Sequence, residues 1–360
     1  MKRRMRLSAI VCAVLLVLSM AACSSTVPEE SSSVSPSSTA ADTSLTPETS
    51  EPEETSEAVS SEPVSSEPIE ESSVPNVYMT TDISPEGLMA IYDALDREAT
   101  GNVAVKISTG EPGSHYLDAN LIADLVQSVD GTIVECNTAY GGNRASTAYH
   151  MQLAADHGYT AIADVDIMDA NGSVSLPVEG GTRLTENLVG ETYENYDFFI
   201  ILSHFKGHRM GGFGGAIKNM SVGIASSARK CLIHRAGART TDRMLNTTPQ
   251  DDFLEAMAEA AKPVADDMGE NILYINVMNH LSVDCDCIAY GAEPSMEDIG
   301  ILASLDPVAL DQACVDLVYA APDGADLVER MESRHAIHAL EHADAIGFGS
   351  REYELVNINE

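Results

Sequence analysis

The stretch 203–219 combines side chains that can hold an anion and move a proton. It contains two lysines, one arginine, two histidines and five glycines within a strongly acidic chain. Glycines let the backbone approach a ligand closely and present N–H groups to an anion. Lys206, His208 and Lys218, together with His234 further along the chain, are therefore the candidate catalytic residues.

The glycine spacing matches neither of two common phosphate-binding loops. Lys218 is neither preceded by Gly nor followed by Ser or Thr, as a Walker loop requires, and Ile217 stands where a dinucleotide fingerprint has its third glycine. A glycine-rich structural loop with solvated charges is the alternative interpretation. Under the functional interpretation, the residues of this loop that bind an anionic ligand are Gly212, Gly214, Gly215 and Asn219.

Cys285 and Cys287 are separated by one residue, and their side chains point the same way if the segment is extended. A disulfide between them would be strained, so a metal ion or separate partners are expected. Cys231 and His234 would complete a soft tetrahedral site for Zn, Fe or Ni if the four residues converge. A disulfide from Cys231 to one of the pair, or unlinked thiols, are the alternatives.

Two further groups of residues carry ambiguous signals. His335, His338 and His342 have the i, i+3, i+7 spacing of one helical face, which suits Zn²⁺ but also an ordinary polar helix face. Asp306 precedes a proline and is a good helix N-cap, and Asp311 one turn later would line a site or pair with a lysine.

The charge distribution excludes several classes of partner. The whole chain has a net charge of −36, and residues 76–360 hold 16 basic and 44 acidic side chains. Such a domain repels phosphate at long range, so neither nucleic acid nor an anionic lipid surface is an expected partner. The serine-hydrolase elbow Gly-x-Ser-x-Gly and the zincin motif His-Glu-x-x-His are both absent from the sequence.

The N-terminus has the features of a bacterial lipoprotein. Residues 1–22 combine four basic residues with a short apolar run and a small-residue processing site, which predicts an export signal. Cys23 would then carry the lipid, palmitate included. Residues 23–75 are rich in Ser, Glu and Pro, which predicts a disordered tether that holds a folded domain outside the cell membrane.

Strands and helices alternate along residues 76–360. This pattern predicts one α/β domain with a mostly parallel or mixed sheet flanked by helices, and a two-lobed arrangement around a cleft is the alternative. The predicted strands are 102–108, 132–136, 196–203, 272–277 and 299–303. The predicted helices are 117–129, 145–157, 251–268, 307–319 and 327–342. Ligands of such sheets bind at the carboxyl ends of strands, where 203–219 begins.

The order of these motifs resembles the uncharacterised bacterial and archaeal family called domain of unknown function 362, over roughly residues 102–358. The resemblance rests on Val105-Lys106, 205–208, 215–219, His234, 284–287 and the long stretch 298–311. It implies that Lys106, Asp306 and Asp311 belong to the ligand site. Many members also carry a ferredoxin-like insertion that would bind iron–sulfur clusters, but residues 235–250 of this chain contain no Cys, so no ferredoxin-type cluster is expected.

The loop from His208 to Lys218 is also similar to that of the nickel-dependent lactate racemase family, in which His and Lys residues surround a 2-hydroxy acid. This similarity implies that Lys206 or Lys218 grips a carboxylate and that His208 or His234 moves a proton.

Together these observations predict an exported, lipid-anchored protein on the extracytoplasmic face of a bacterial membrane. It would bind a metal or metallocofactor and a small anionic ligand, as a redox or isomerising enzyme. A non-catalytic surface protein that captures an anionic solute or a metal is the alternative, and a purely structural surface protein would have no cleft. Convergence of the glycine-rich loop, His234 and the cysteine pair in one water-excluding cleft would favour an enzyme, whereas an open basic groove with scattered cysteines would favour capture.

Overall fold

The computed structural model describes residues 74–140, 142–238 and 248–359, all within one compact unit, Ile69–Glu360. The predicted export signal, Cys23 and nearly all of the predicted tether lie outside the described residues. Among the helices that the structure describes, none has the length and apolar character to cross a membrane.

The described part of the chain forms twelve strands and ten α-helices in a mixed α/β order. The strands are β1 (Asn76–Thr80), β2 (Val103–Lys106), β3 (Thr132–Glu135), β4 (Val165–Ile167), β5 (Ser173–Pro177), β6 (Glu186–Gly190), β7 (Phe198–His204), β8 (Lys206–His208), β9 (Gly212–Gly214), β10 (Ile272–Met278), β11 (Gly300–Ser304) and β12 (Glu354–Asn357). The helices are α1 (Pro85–Ala94), α2 (Ala119–Ser128), α3 (Thr147–Asp156), α4 (Tyr159–Ile162), α5 (Ala216–Ser221), α6 (Ser227–His234), α7 (Gln250–Met268), α8 (Pro307–Ala320), α9 (Ala325–Glu332) and α10 (His338–Ala345).

Eight strands form one sheet in the order β12-β1-β11-β10-β7-β2-β3-β4. Strands β10, β7, β2, β3 and β4 are parallel to one another, and β11 pairs antiparallel with both of its neighbours. The chain runs outward from β2 to β3 and β4, returns to β7 beside β2, and continues to β10 on the other side. The carboxyl ends of β2 and β7 therefore mark the point where the winding reverses, which is where ligands bind in open α/β sheets. The predicted α/β class with a mostly parallel sheet is confirmed.

Strands β7 and β10 lie in the middle of the sheet, and every residue in both is buried. Their side chains alternate between two apolar layers, as they must on a strand covered on both faces. Phe199 and Ile201 of β7 face the layer that includes α5, α7 and α8, whereas Phe198 and Ile200 face the layer that includes α1 and α2.

The predicted helix 327–342 is wrong as a single element. It is interrupted between α9 and α10, where His335 has the left-handed φ of 50° that helical residues do not adopt. The three histidines at i, i+3 and i+7 therefore do not share one continuous helix. Strand β1, the edge strands β4 and β12, the helix α1 and the hairpins β5-β6 and β8-β9 were not among the predicted elements, because these short or half-exposed segments lack a long apolar run.

Helix α5 begins without a capping side chain of its own, because its N-cap is Gly215. Asp311 of α8 supplies the missing acceptor: its carboxylate accepts N–H groups of Ala216 at 2.8 Å and Ile217 at 3.0 Å, and Asn276 donates to it at 2.7 Å. Burial raises the pKa of Asp311 to about 6, although these hydrogen bonds favour the carboxylate. Asp311 therefore fixes the helix that carries Lys218.

We expect Gly215→Ala to destabilise the fold by about 1–3 kcal/mol, as overpacking of a buried contact does. An ideal Cβ at this position would lie 2.2 Å from Asp311 Oδ1, so the cap and the start of α5 must separate. Gly142→Ala is the matched control, since its Cβ would meet only the Tyr140 ring at an ordinary 3.6 Å. Urea denaturation measures both changes, and equal stability of the two variants would contradict this role of Gly215.

Candidate functional site

A cavity of 610 Å³ lies at the carboxyl ends of β2, β3 and β7. The candidate residues from distant parts of the sequence that line it are Lys106, His208, Gly214, Gly215, Lys218, Asn219, His234, Cys285 and Cys287. The glycine-rich loop, His234 and the cysteine pair therefore converge on one cavity. Apolar side chains, among them Met210, Phe253 and Met257, line the same cavity.

The floor of the cavity holds a buried ion pair between adjacent strands. Lys106 Nζ at the end of β2 lies 3.0 Å from Glu135 Oε1 at the end of β3, and it also donates to Asn219 Oδ1 at 2.8 Å. Burial raises the pKa of Glu135, but the nearby charges of Lys106, Lys230 and Arg144 outweigh it and hold this pKa at about 2. Lys106 Nζ is thus fully occupied by protein partners, and the ligand-binding role that the sequence predicts for Lys106 stays a prediction.

Lys218 differs from the other lysines of the cavity in lacking a partner. Its Nζ makes no hydrogen bond and no ion pair with any residue that the structure describes, whereas Lys230 Nζ donates to the backbone oxygen of Val222 at 2.7 Å. Burial lowers the pKa of Lys218 to about 8. The ammonium group of Lys218 is therefore free to bind an anion.

His208 is a hydrogen-bond donor toward the cavity. Its Nδ1 accepts the N–H of Gly211 at 2.8 Å across the β8-β9 hairpin, so in the neutral ring Nε2 carries the hydrogen. Burial lowers the pKa of His208 well below its usual range, and the charge of Lys218 acts in the same direction. His208 is consequently a neutral imidazole with its N–H at Nε2.

His234 has the opposite tautomer. Its Nδ1 lies 2.8 Å from the backbone oxygen of Lys230, which can only accept, so Nδ1 carries the hydrogen and Nε2 keeps its lone pair. Burial lowers the pKa of His234, which keeps the ring neutral, and the ring stacks on Phe253 at 5.1 Å. One cavity thus contains one imidazole that donates at Nε2 and one that accepts there.

Lys206 does not line the cavity. Its Nζ lies 2.9 Å from Asp286 Oδ1, and His204 Nδ1 lies 2.9 Å from the other oxygen of the same carboxylate. Burial raises the pKa of Asp286, but His204 and Lys206 outweigh that effect and lower it to about 2. The candidate catalytic residue Lys206 therefore positions the loop that contains the cysteine pair.

Cys285 and Cys287 are joined by a disulfide, which corrects the expectation that this spacing disfavours one. Cys231 is a free thiol that does not line the cavity, so the predicted four-residue site with Cys231 and His234 does not assemble. Among the described residues, it is a ring nitrogen of His208 that lies close to the two sulfurs, and the three donor atoms are within 4.8 Å of one another.

This group of three donors is of a size that can hold a metal ion. A disulfide is a poor ligand, however, because soft metals bind the thiolate. His208 Nδ1 also already accepts the N–H of Gly211. The donors therefore fit a metal only after the disulfide is reduced and the His208 ring changes its hydrogen bond.

Three candidate ligand-binding residues lie away from the cavity. Asp306 caps α8 by accepting the N–H of Val308 at 2.8 Å, as its position before a proline predicts. It follows β11, the one reversed strand of the large sheet, and so lies at the opposite sheet edge. Asp311 caps α5, and Gly212 packs against the segment that contains Ala336.

The three C-terminal histidines face carboxylates of α7 at one-turn intervals. His335 lies 2.7 Å from Asp251, His338 lies 3.0 Å from Glu255, and His342 lies 3.1 Å from Glu259. Asp251, His335 and His338 also form a second group of donor atoms within 4.8 Å. These contacts agree with the interpretation of the three histidines as an ordinary polar surface. That surface pairs with the carboxylates of the neighbouring helix α7.

Several charged residues of the site were missing from the candidates. Glu135 and Arg144 line the cavity, and Arg144 Nε pairs with Glu111 at 2.7 Å. Glu135 ends a short strand, and a polar residue at the carboxyl end of a strand is the signal that identifies it in the sequence. His204 carries the same signal at the end of β7, whereas Asp286 and Lys230 do not because neither of them ends a strand.

We expect Glu135→Gln to cost about 3–5 kcal/mol of stability at pH 7, since it leaves Lys106 charged, buried and without a counter-ion. The pKa of Glu135 is about 2 in the fold against 4.5 ordinarily, so its contribution is complete above pH 4.5 and lost as pH falls toward 2. Denaturation at pH 7 and pH 3 should therefore show a smaller pH dependence in the variant. The exposed Glu86→Gln is the control, and a Glu135→Gln variant as stable as the parent at pH 7 would refute the argument.

The family model described as domain of unknown function DUF362 matches residues 103–316. Comparison with curated proteins gives no match. Similar solved structures include the lactate racemase apoprotein from Thermoanaerobacterium thermosaccharolyticum and a protein from Thermotoga maritima, each with 12% identity and a TM-score of 0.37. The first alignment covers 78% of this chain and 82% of the racemase, and the second covers 72% of this chain and 58% of the Thermotoga protein. Likeness at this level assigns no ligand or reaction.

Proposed function

The chain belongs to the family described as domain of unknown function DUF362, and we propose that its cavity binds a small organic anion and acts on it. The observation that carries the proposal is the ammonium group of Lys218, which faces the cavity with no partner among the described residues. Lys218 is partly buried, where an unpaired charge is unfavourable, and an anionic ligand would neutralise it.

The charge of the cavity wall supports the same conclusion. Six cationic side chains line the cavity against two carboxylates, Glu135 and Asp286. Three of the six, Lys106, Arg144 and Arg209, are paired with carboxylates, which leaves Lys218, Lys230 and Arg334 as the excess. Both carboxylates are already paired with lysines, as described above. In a domain with nearly three acidic residues for each basic one, such a local excess of positive charge favours an anionic ligand.

The two histidines support a catalytic role over simple capture. His208 offers an N–H at Nε2, and His234 offers a lone pair at Nε2, so the cavity supplies a hydrogen-bond donor and a proton acceptor. The neutral His234 can take up a proton, whereas the neutral His208 keeps its own, because losing it would leave an imidazolate. Lys218 would hold the anion while a proton leaves toward His234 and the N–H of His208 stabilises the negative charge that develops on the ligand. Capture of an anionic solute without reaction is the alternative.

The proposal includes location. The N-terminal sequence supports export and lipid attachment at Cys23, with residues 23–75 as a tether to the extracytoplasmic face of a bacterial membrane. The ligand would then be a small anion that is present outside the cytoplasm.

We expect Lys218 to react selectively with trinitrobenzenesulfonate, with a pH midpoint near 8, because its pKa is about 8. Peptide mapping by mass spectrometry measures the rate at each lysine. Lactate or benzoate should slow the labelling of Lys218, whereas lactamide and benzamide should not. This protection should weaken above pH 8, where the ammonium loses its proton and its attraction for anions.

Lys262 provides the internal control, since it lies on α7 and pairs with Asp266 at 2.6 Å. Its labelling should be indifferent to all four compounds. Equal protection of Lys218 by an acid and its amide, at every pH, would contradict anion binding.

A metal is the second candidate function, favoured by the three donor atoms of His208, Cys285 and Cys287. A thiolate-rich site would supply Lewis-acid or redox chemistry to the bound anion. We expect elemental analysis of the reduced full chain, purified without chelator, to find about one Zn, Fe or Ni per chain. The metal should be lost in Cys285→Ser/Cys287→Ser and kept in Cys231→Ser. Equal metal content in the two variants would exclude this site.

A further inference from the structure

The Cys285–Cys287 disulfide forms part of the cavity wall. It closes a loop with a single intervening residue, and the stabilisation that a disulfide provides grows with the length of the loop it closes. A structural role therefore explains little of its presence. Its position within 4.8 Å of a ring nitrogen of His208 places it where a bound ligand would meet it.

The backbone around the two sulfurs is held by contacts that do not involve them. The Asp286 carboxylate is bound by Lys206 and His204, and the Asp286 backbone oxygen accepts the N–H of Glu111 at 2.7 Å. The Cys287 backbone oxygen accepts the hydroxyl of Tyr140 at 3.3 Å. The two sulfurs consequently stay close to each other after the bond between them is broken, ready to form it again.

We propose that Cys285 and Cys287 exchange electrons with an anionic low-molecular-weight thiol that binds beside Lys218. The inference rests on the proposed function, because it names the class of the anion. A ligand thiolate attacks Sγ of Cys287, the more exposed of the pair, and the bond to Cys285 breaks. A second ligand thiolate then attacks the ligand sulfur of the mixed disulfide and releases Cys287.

The two steps balance. Two ligand thiols become one ligand disulfide and lose two electrons, which the cysteine pair gains. The two protons of the ligand thiols end on the two cysteine sulfurs. No further oxidant or reductant is required, and the reverse reaction oxidises the pair again.

The sign of the ligand charge distinguishes this site from an ordinary surface disulfide. The acidic exterior of the domain repels anions, so a disulfide exposed on its surface would react faster with a cationic thiol. Inside the cavity the unpaired Lys218 reverses this preference. Selective reaction with an anionic thiol therefore requires entry into the cavity.

The test compares 3-mercaptopropionate with cysteamine, two thiols of similar size and opposite charge, at equal thiolate concentration. The full chain is oxidised, exposed to each thiol, alkylated and mapped by mass spectrometry to follow the peptide that contains Cys285 and Cys287. Each rate is divided by the rate of the same thiol with free cystine, because thiolates of different basicity differ in nucleophilicity. We expect this normalised rate to be at least ~10-fold higher for the anionic thiol, a typical size for charge-guided binding in a cleft. In Lys218→Met this ratio should fall to one or below, whereas in Lys262→Met it should remain.

A faster reaction with cysteamine, resistance to both thiols, or a pair that remains reduced in the oxidised protein would each overturn the inference. The variant Cys285→Ala/Cys287→Ala separates it from the proposed function. If anions still protect Lys218 from labelling in that variant and the thiols show no charge preference in the parent, the exchange reaction is wrong and anion binding stands. If no anion protects Lys218 in the parent, anion binding itself is wrong.

Discussion

The Asp286 carboxylate is the contact on which the arrangement of the site depends. It is buried between Lys206 and His204, so it joins the end of β7 and the start of β8 to a loop about 80 residues further along the chain. Removing one partner from such a buried group leaves an uncompensated charge, which is strongly unfavourable. Because Asp286 stands between the two cysteines, this contact also fixes where both sulfurs meet the cavity.

The lysines at this end of the sheet divide into those that hold the scaffold and one that does not. Lys106 and Lys206 each neutralise a buried carboxylate, and Lys230 is bound by backbone oxygens. These pairings keep the surrounding segments in place around Lys218. The free ammonium group of Lys218 is thus presented by a rigid frame, so a ligand would meet a charge that needs little reorganisation.

The sequence predicts what depends on local pattern and misses what depends on distant partners. The apolar runs of β7 and β10 and the glycine cluster after β7 are visible in the chain itself, and so the fold class and the place of the cavity are predictable. The pairing of Lys206 with Asp286 joins segments that no local pattern relates, so the sequence does not reveal that Lys206 lies outside the cavity lining. The prediction of one helix over 327–342 is wrong for a different reason. Helical spacing of side chains does not reveal that His335, in the middle of the segment, has a left-handed backbone.

The acidic exterior around a cationic cavity also affects how fast a ligand arrives. An anion must first cross a repulsive field, which ions in solution screen over about 8 Å at physiological salt. The attraction of Lys218 acts at short range inside the cavity, where ions in solution screen a partly buried charge less. Added salt would therefore speed the association of an anion and change its dissociation much less, the reverse of the usual electrostatic steering. The charge pattern makes anion capture selective for environments of substantial ionic strength.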